Sequence, residues 1–566
     1  MTMTLGRYNT KKLRLAIMMG AAAGVIGSAA IAQTGGADLG GSPPLKLQTD
    51  YFGYSARVTS QAAYSDNINL GTDGFEDGEF FTSNILSGGA IISAPRVTGI
   101  IAGDLDFSYL VDDGDFTVSQ DIGAASTFLI AENLAFFDLS GTTSRQLIGD
   151  NARFGANINV ARTDQVNVHA YSASPYLFRR FSDQSSVELR YRFSQLFIPE
   201  DNTITALDGL SIVERSTAHD VLASYESGRL AERFRFRLSA AGSDTNERTN
   251  DGLTEFDFQQ GSVLAEGQVV VADGFSLSGA IGYDEIDTGD TDGLFFDDDE
   301  LSGFTWRAGF IASPNQRSSI RLEYGERFDD DFISASVFYD ISRRLRFTAS
   351  ADRSFRTRAQ GFGSRNRSTQ ASALDFADQL REGLELSPSQ LIDSANQFAN
   401  AVQNRSSQAI GVAVFDSASA ALIGNYDRTT LTLSGFYDDT DLGFRTLESF
   451  GARLFADRRL SRRLTGTVGV DWRNTDSTVD FGLCQAAPQF FGFDPNNDLL
   501  DADTVCAAAV ANSGQTNTVI GRIGARYRFY QNLSAFAEFS RAERFSDNPL
   551  LEYSENSIAA GVTLDF

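Results

Sequence analysis

Apolar residues recur at every second position along most of this chain. Val187, Leu189, Tyr191 and Phe193 alternate with Glu188, Arg190, Arg192 and Ser194, and Phe234, Phe236 and Leu238 alternate with Arg233, Arg235 and Arg237. Leu105, Phe107, Tyr109 and Val111 oppose Asp104, Asp106 and Ser108 in the same way. So do Phe304, Trp306, Ala308 and Phe310 against Thr305, Arg307 and Gly309, and Val519, Ile523, Tyr527 and Phe529 against Arg522, Arg526 and Arg528. A period of two predicts strands with one oily and one polar face. Charge confined to one face predicts a wet lumen and a lipid-facing exterior. The expected fold is therefore all-β, a transmembrane antiparallel up-and-down β-barrel with Arg190, Arg192, Arg233, Arg235, Arg237, Arg522, Arg526 and Arg528 facing the lumen.

The alternating runs are about 10–14 residues long and are joined by connections that switch between short and long. Short turns fall at Ser93–Val97, Phe178–Gln184, Gly228–Glu232, Ala272–Gly274, Pro314–Arg317, Ser342–Arg344 and Tyr530–Asn532. Long acidic loops lie between them at Asp66–Glu79, Pro199–Arg215, Asp287–Glu300 and Asp476–Gln515. This spacing predicts about 22 strands, within a range of about 18 to 24, with both ends on the short-turn side. Residues 51–566 form the expected barrel. The period breaks once, in a short helical insertion at 372–404: Leu374, Phe376, Ala377 and Leu380 recur at helical spacing, and Ser387-Pro388 caps a second helix carrying Leu391, Ile392, Ala395, Phe398, Ala399 and Val402. Such helices must bury an apolar face, either as a plug in the lumen or as a cap on the outer loops.

The two chain ends narrow the compartment. Arg7, Lys11, Lys12 and Arg14 precede an apolar run, and Ala30-Ile31-Ala32 supplies an A-x-A site, so residues 1–32 read as a cleaved signal peptide. A flexible periplasmic segment, 33–50, follows. The last residues place Ile558, Ala560, Val562, Leu564 and Phe566 on one face. A strand closing on a terminal aromatic carboxylate resembles the final strand of bacterial outer-membrane barrels, where Ile558, Val562, Leu564 and Phe566 would form the signal read by the barrel-assembly machinery. The expected location is the bacterial outer membrane, with outer-membrane lipid and lipopolysaccharide as neighbours. Mean hydropathy is slightly negative, as alternation between oily and wet faces requires. The 45 Phe outnumber the 2 Trp, and Tyr54, Tyr64, Tyr109, Tyr191, Trp306, Trp472 and Phe566 are expected in interface girdles.

Candidate chemistry is sparse. Acidic residues number 74 against 47 basic ones, and cleavage of the four-charge leader takes the formal charge from −27 to −31, a balance that disfavours nucleic acid. Cys484 and Cys506 share one loop of an exported chain, which permits a disulfide. His169 and His219 stand in strands with no nucleophile motif around them, so we expect no enzyme and no cofactor. Asp290, Asp292, Asp297 and Asp299 crowd one loop and are weak metal candidates without the ordered spacing of a calcium loop. The Arg rows either lower the barrier for anions or pair across strands with Glu188, Glu323 and Asp471 to stiffen the wall.

The fragments Tyr64-Ser65-Asp66-Asn67-Ile68-Asn69-Leu70, Ser174-Pro175-Tyr176-Leu177 and Leu322-Glu323-Tyr324-Gly325-Glu326-Arg327-Phe328 resemble motifs of the PEP-CTERM-system-associated outer-membrane proteins, grouped with the β-barrel porin family. The resemblance spans most of the chain after the leader. Glu326 stands where the group has a basic residue, so no site role carries over there. The resemblance implies a porin-like or export-associated pore, linked with exopolysaccharide export components, and no catalytic residues. The alternative is a closed structural barrel acting through its acidic loops.

Overall fold

The computed structural model describes residues 47–49, 51–147, 165–182, 184–199, 213–228, 233–249, 255–289, 298–315, 318–357, 412–443, 445–486, 501–511 and 513–566, with the isolated positions 153, 155, 360 and 488. The signal peptide, the helical insertion at 372–404, and Asp290, Asp292 and Asp297 lie outside the described residues.

The first strands are β1 (Leu47–Thr49), β2 (Phe52–Ser65), β3 (Glu79–Ala94), β4 (Val97–Leu110), β5 (Phe116–Ala131) and β6 (Ala135–Leu147). They continue with β7 (Gln165–Arg180), β8 (Ser186–Phe197), β9 (Val213–Glu226), β10 (Phe234–Thr249), β11 (Glu255–Ala272) and β12 (Phe275–Asp287). Next come β13 (Gly303–Asn315), β14 (Ser318–Arg327), β15 (Asp330–Ser342), β16 (Leu345–Thr357), β17 (Val412–Tyr426) and β18 (Thr429–Asp441). The last are β19 (Arg445–Arg459), β20 (Leu464–Val479), β21 (Gly514–Arg528), β22 (Leu533–Ser546) and β23 (Tyr553–Asp565). Each pairs antiparallel with its sequence neighbours, and β23 pairs with β2 from Ser557 to Asp565, which closes the ring. The barrel thus has 22 strands, β2 to β23. The short β1 is a correction to the flexible segment read at 33–50: residues 47–49 fold back onto Phe52 and Gly53 of β2.

The short turns read from the sequence all lie at one end, and the other end adds two tight connections of its own, 328–329 after β14 and 442–444 after β18. Asn133 (φ 57°) and Gly274 (φ 71°) take the left-handed conformation that tight turns need and that these two residue types tolerate. The two faces of the wall are told apart by what they touch. Leu139, Tyr171, Val221, Leu238, Val263, Ile281, Val468 and Val562 leave large apolar surface uncovered, spread around the ring. That face is the lipid-facing exterior. The opposite face carries most of the wall's arginine–carboxylate pairs, and its contacts cross the barrel. Phe566 donates its backbone N–H to Ala56 O, tying the chain end into the seam between β23 and β2.

Candidate functional site

The interior has two parts: a charged wall and an apolar closure at the long-loop end. Along the wall, small residues let long ones meet. Ala280 of β12 separates Glu266 of β11 from Arg307 of β13 in register, and the two side chains pair over it. Arg307 also reaches Glu323 at 3.1 Å, and Arg321 reaches Glu323 at 3.0 Å and Glu266 at 3.5 Å. Four charges on three strands therefore form one balanced network. Arg190 bonds both Asp138 and Glu188 at 2.7 Å and lies 3.8 Å above the Tyr176 ring. Arg327 grips Asp284 through two bonds of 2.9 Å, the forked geometry that favours Arg over Lys. Arg453 pairs with Asp471.

The expected Arg rows behave differently from that forecast. Glu188, Glu323 and Asp471 are taken by Arg190, by Arg307 with Arg321, and by Arg453. Arg192 stands 3.8 Å from Asp220. Arg233, Arg235, Arg237, Arg522 and Arg528 make no ion pair among the described residues, although Arg237 lies in register between Glu226 and Glu266. Arg526 is buried on the interior face of β21. Sharing a row was not enough to predict pairing, because partner choice is set by the small residues between strands.

The closure was not expected from the sequence. Val166, Val168 and Ala170 of β7, Phe256 and Phe258 of β11, Phe355 of β16 and Val412–Val414 of β17 belong to one buried apolar cluster. Phe355 lies 5.6 Å from Phe258 and 5.8 Å from Phe328. Strand β16 parts from β15 beyond Ala351, which frees its upper end to lean inward. Gln360 then donates to Ser243 at 2.9 Å and Thr245 at 2.6 Å on β10, six strands away in sequence order. The described flanks of the 358–411 connection thus point into the barrel. A cavity of about 280 Å³ lies against this tip, lined by Ser172, Ser216, Gln260, Arg327, Phe355 and Gln360 among others.

The disulfide completes the cluster. Cys484, in the helix Phe481–Ala486, and Cys506, in the helix Ala502–Ala511, are bonded with Cα atoms 5.8 Å apart, and neither side chain is exposed. Val505 and Ala509 pack beside them. Asp501 caps the second helix by accepting from the Thr504 backbone N–H at 2.7 Å. Hydrogen bonds from the Thr504 side chain and backbone hold its carboxyl below the ordinary aspartate range.

A second cluster fills the other side of the mouth. Ile68 and Leu70, from the first long loop, pack on Ala63, Phe81, Leu110, Ile520, Ala542 and Tyr553. Asn67 fixes the fold of that loop: its amide donates to Gly71 O at 2.8 Å and Ser554 O at 2.9 Å and accepts from Gly71 N–H at 2.7 Å. Asp66 ties across to Asn556. The Tyr64–Leu70 fragment is thus an anchor that turns the loop inward. Leu70 holds φ at 50°, a strained value for leucine that persists because its side chain is fully enclosed. The other fragments also have structural jobs. Tyr176 stacks on Phe136 at 5.0 Å. Glu326 accepts from Trp306 Nε1 at 3.1 Å on the outer face, and a Cβ on Gly325 would collide with Trp306 O.

Both histidines sit on the outer face, away from the interior charges. Tyr191 and His219 share a 2.8 Å hydrogen bond, and His169 stacks on Phe197. Asp299 falls in the short helix Asp298–Leu301, and among the described residues no three acidic, His or Cys groups cluster closely enough to hold an ion.

No protein-family model matches the chain, and no curated protein matches it in sequence. Among solved structures it is similar to the ferric-catecholate import receptor Fiu of E. coli K12, with TM-score 0.44 and 9% identity, covering 92% of this chain and 82% of that one. It is also similar to the siderophore receptor PirA of Acinetobacter baumannii (TM-score 0.44, 7% identity, 91% and 80% covered). The ferric enterobactin receptor of Pseudomonas aeruginosa, as a double mutant, gives TM-score 0.42, 10% identity and coverage of 90% and 80%.

Proposed function

We propose that the protein is a bacterial outer-membrane barrel acting as a gated conduit for hydrophilic solute, shut at its outer mouth in this structure. The observation that carries this reading is the pairing of a polar, charged interior with two apolar closures made by inward-folded segments. A permanently sealed barrel has no use for unpaired arginines on its inner wall. A plain open porin has no use for two buried clusters across its mouth. Each large side chain fully buried there contributes about 1.5–3 kcal/mol, so the closures are firm yet within reach of a partner's binding energy. The outer-membrane setting is supported by the exterior apolar belt and by the terminal strand, with Ile558, Val562, Leu564 and Phe566 as the assembly signal. The leader at 1–32 and the insertion at 372–404, as plug, belong to the same reading. An exopolysaccharide cargo rests on the sequence resemblance alone.

One observation favours the closed structural barrel as a second reading: the wall charges are extensively cross-paired, which stiffens a scaffold. Single-channel recording of the refolded barrel in a planar bilayer separates the two. The gated reading expects little current from the parent chain and large steady currents after deletion of residues 372–402. A correctly folded deletion variant that stays silent overturns the conduit.

A further inference from the structure

The excess of acid in this chain is not evenly spread along the barrel axis. The short-turn end is basic, above all on one side. The turn after β15 carries Arg343 and Arg344, and the turn after β17 carries Arg428. The turn after β19 carries Arg462 and Arg463, separated from Arg458 and Arg459 by Leu460 and Ser461, and Arg528 ends β21. All are exposed. The acids at this rim are few: Asp340 is bonded by Arg346, Asp427 by Arg344, and Asp457 has a partner of its own. Arg343, Arg428, Arg458, Arg462, Arg463 and Arg528 have no side-chain partner among the described residues.

Successive turns at one end are two strands apart, so roughly 10 Å separates them. That is about one Debye length at physiological salt, and their potentials add. The patch also continues inward. Arg528, Arg526 and Arg522 lie on the interior face of β21, and six residues of strand span roughly 20 Å. Arg522 Nε is buried without a hydrogen-bond partner. At the opposite end the described loops are acidic, with Asp73, Glu76 and Asp77 after β2, Asp112, Asp113 and Asp115 after β4, and Asp329, Asp330 and Asp331 after β14.

We infer that the short-turn rim between β15 and β22 captures a linear polyanion, a polymer bearing repeated carboxylates or phosphates, and feeds it into the lumen along the β21 arginines. This deepens the conduit reading and rests on it for the passage step, though not for capture. Guanidinium groups suit carboxylate and phosphate through forked bonds. Elsewhere the rim is mixed: Arg96, Arg179, Arg180 and Arg233 are exposed there, but the turn after β5 carries Glu132 and the turn after β11 carries Asp273, so the unbroken basic stretch that a linear polymer would follow is confined to one arc. A docked acidic protein would have no need of the ladder running into the lumen. The acidic far end repels the same polymer, so the axial field concentrates it at the short-turn rim, the side on which capture takes place.

The test is binding of fluorescent polygalacturonate to the refolded barrel in nanodiscs of neutral lipid, with uncharged dextran as control. Parent protein is expected to bind polygalacturonate with affinity that falls steeply as salt rises, and to ignore dextran. The variant Arg343→Gln, Arg428→Gln, Arg462→Gln, Arg463→Gln is expected to bind about tenfold or more weakly, with unchanged heat-modifiable gel migration as the check on folding. A second variant, Arg522→Gln, leaves the rim intact. It is expected to retain capture and to lose side-specific block of current by the polymer in the opened channel. Equal binding by parent and rim variant, or equal binding of dextran, overturns the inference. So does a parent that ignores polygalacturonate but is stabilised by phosphatidylglycerol in the disc when the rim variant is not, since the patch is then a lipid anchor. Capture is read without current, so a silent bilayer refutes the conduit and leaves the capture result to stand or fall by itself.

Discussion

Breaking the Cys484–Cys506 bridge should unlatch one side of the mouth without loosening the barrel. The bonded residues are 22 apart in sequence, and closing a loop of that size removes chain entropy worth about 3 kcal/mol. At about 1.4 kcal/mol per tenfold change, the open population of this loop should rise by roughly two orders of magnitude when the bond is lost. The barrel strands are not inside that loop, so their pairing should not respond. The assay is limited proteolysis of residues 480–513 in the refolded protein, oxidised against reduced, with the variant Cys484→Ala, Cys506→Ala beside them. Reduced protein keeps both sulfurs in the cluster and isolates the cross-link; the variant adds the loss of packed volume. Both should be cut about a hundredfold faster, with heat-modifiable migration intact. Since neither sulfur is exposed, reduction itself should wait for the loop to open and be slow in native buffer. Cleavage at the parent rate in both samples would refute the latch and assign the closure to packing alone.

Three further outcomes follow from the same geometry. Leu70→Ala removes a fully enclosed side chain and should cost the first loop about 2–5 kcal/mol, seen as faster proteolysis within residues 66–78 at unchanged barrel stability. Glu323→Gln leaves Arg307 and Arg321 sharing Glu266 alone, with one positive charge in excess. Arg321 is partly exposed and the lumen is wet, so the loss should be about 1–3 kcal/mol, read as an earlier unfolding midpoint in urea. The Asp501 carboxyl is held low by Thr504. Its contribution to the helix should be present above about pH 4, where an unfolded aspartate ionises, and lost as pH falls through its lower folded value. Proteolysis of the 501–511 helix by an acid-active protease should therefore accelerate only at the acid end, and Asp501→Asn should flatten that response.

The wall was legible because lipid outside and water inside impose a strict period of two. The alternation at Val187–Phe193 and Phe304–Phe310, the short turns and the even strand count all follow from it. The mouth was not read, though it left a signal. In β11 the large apolar residues stand at even positions, Phe256 and Phe258, and then at odd ones, Val263, Val269 and Val271, although the β10–β11 pairing runs from Glu255 to Val269 without a register shift. In β7 the same change separates Val166 and Val168 from Tyr171 and Leu177. A change of phase in an unbulged strand turns the apolar face inward above the membrane. Nothing local in the sequence could pair the ends of the 358–411 connection with β10, since that contact is set by the shape of the rim.

The two parts of the molecule differ in how they resist change, and this decides where motion is possible. Every barrel strand is paired with a neighbour on each side, and an unpaired backbone group facing lipid costs several kcal/mol. Opening a seam in the wall would therefore expose a whole row of such groups at once. The closures are held by side-chain packing, one cross-link and a few bonds from Asn67 and Gln360, and the groups they release would meet water. Any change of state in this protein must take place at the mouth while the wall stays fixed. A cargo arriving from the basic rim therefore meets a rigid charged tube before it meets a gate that can yield.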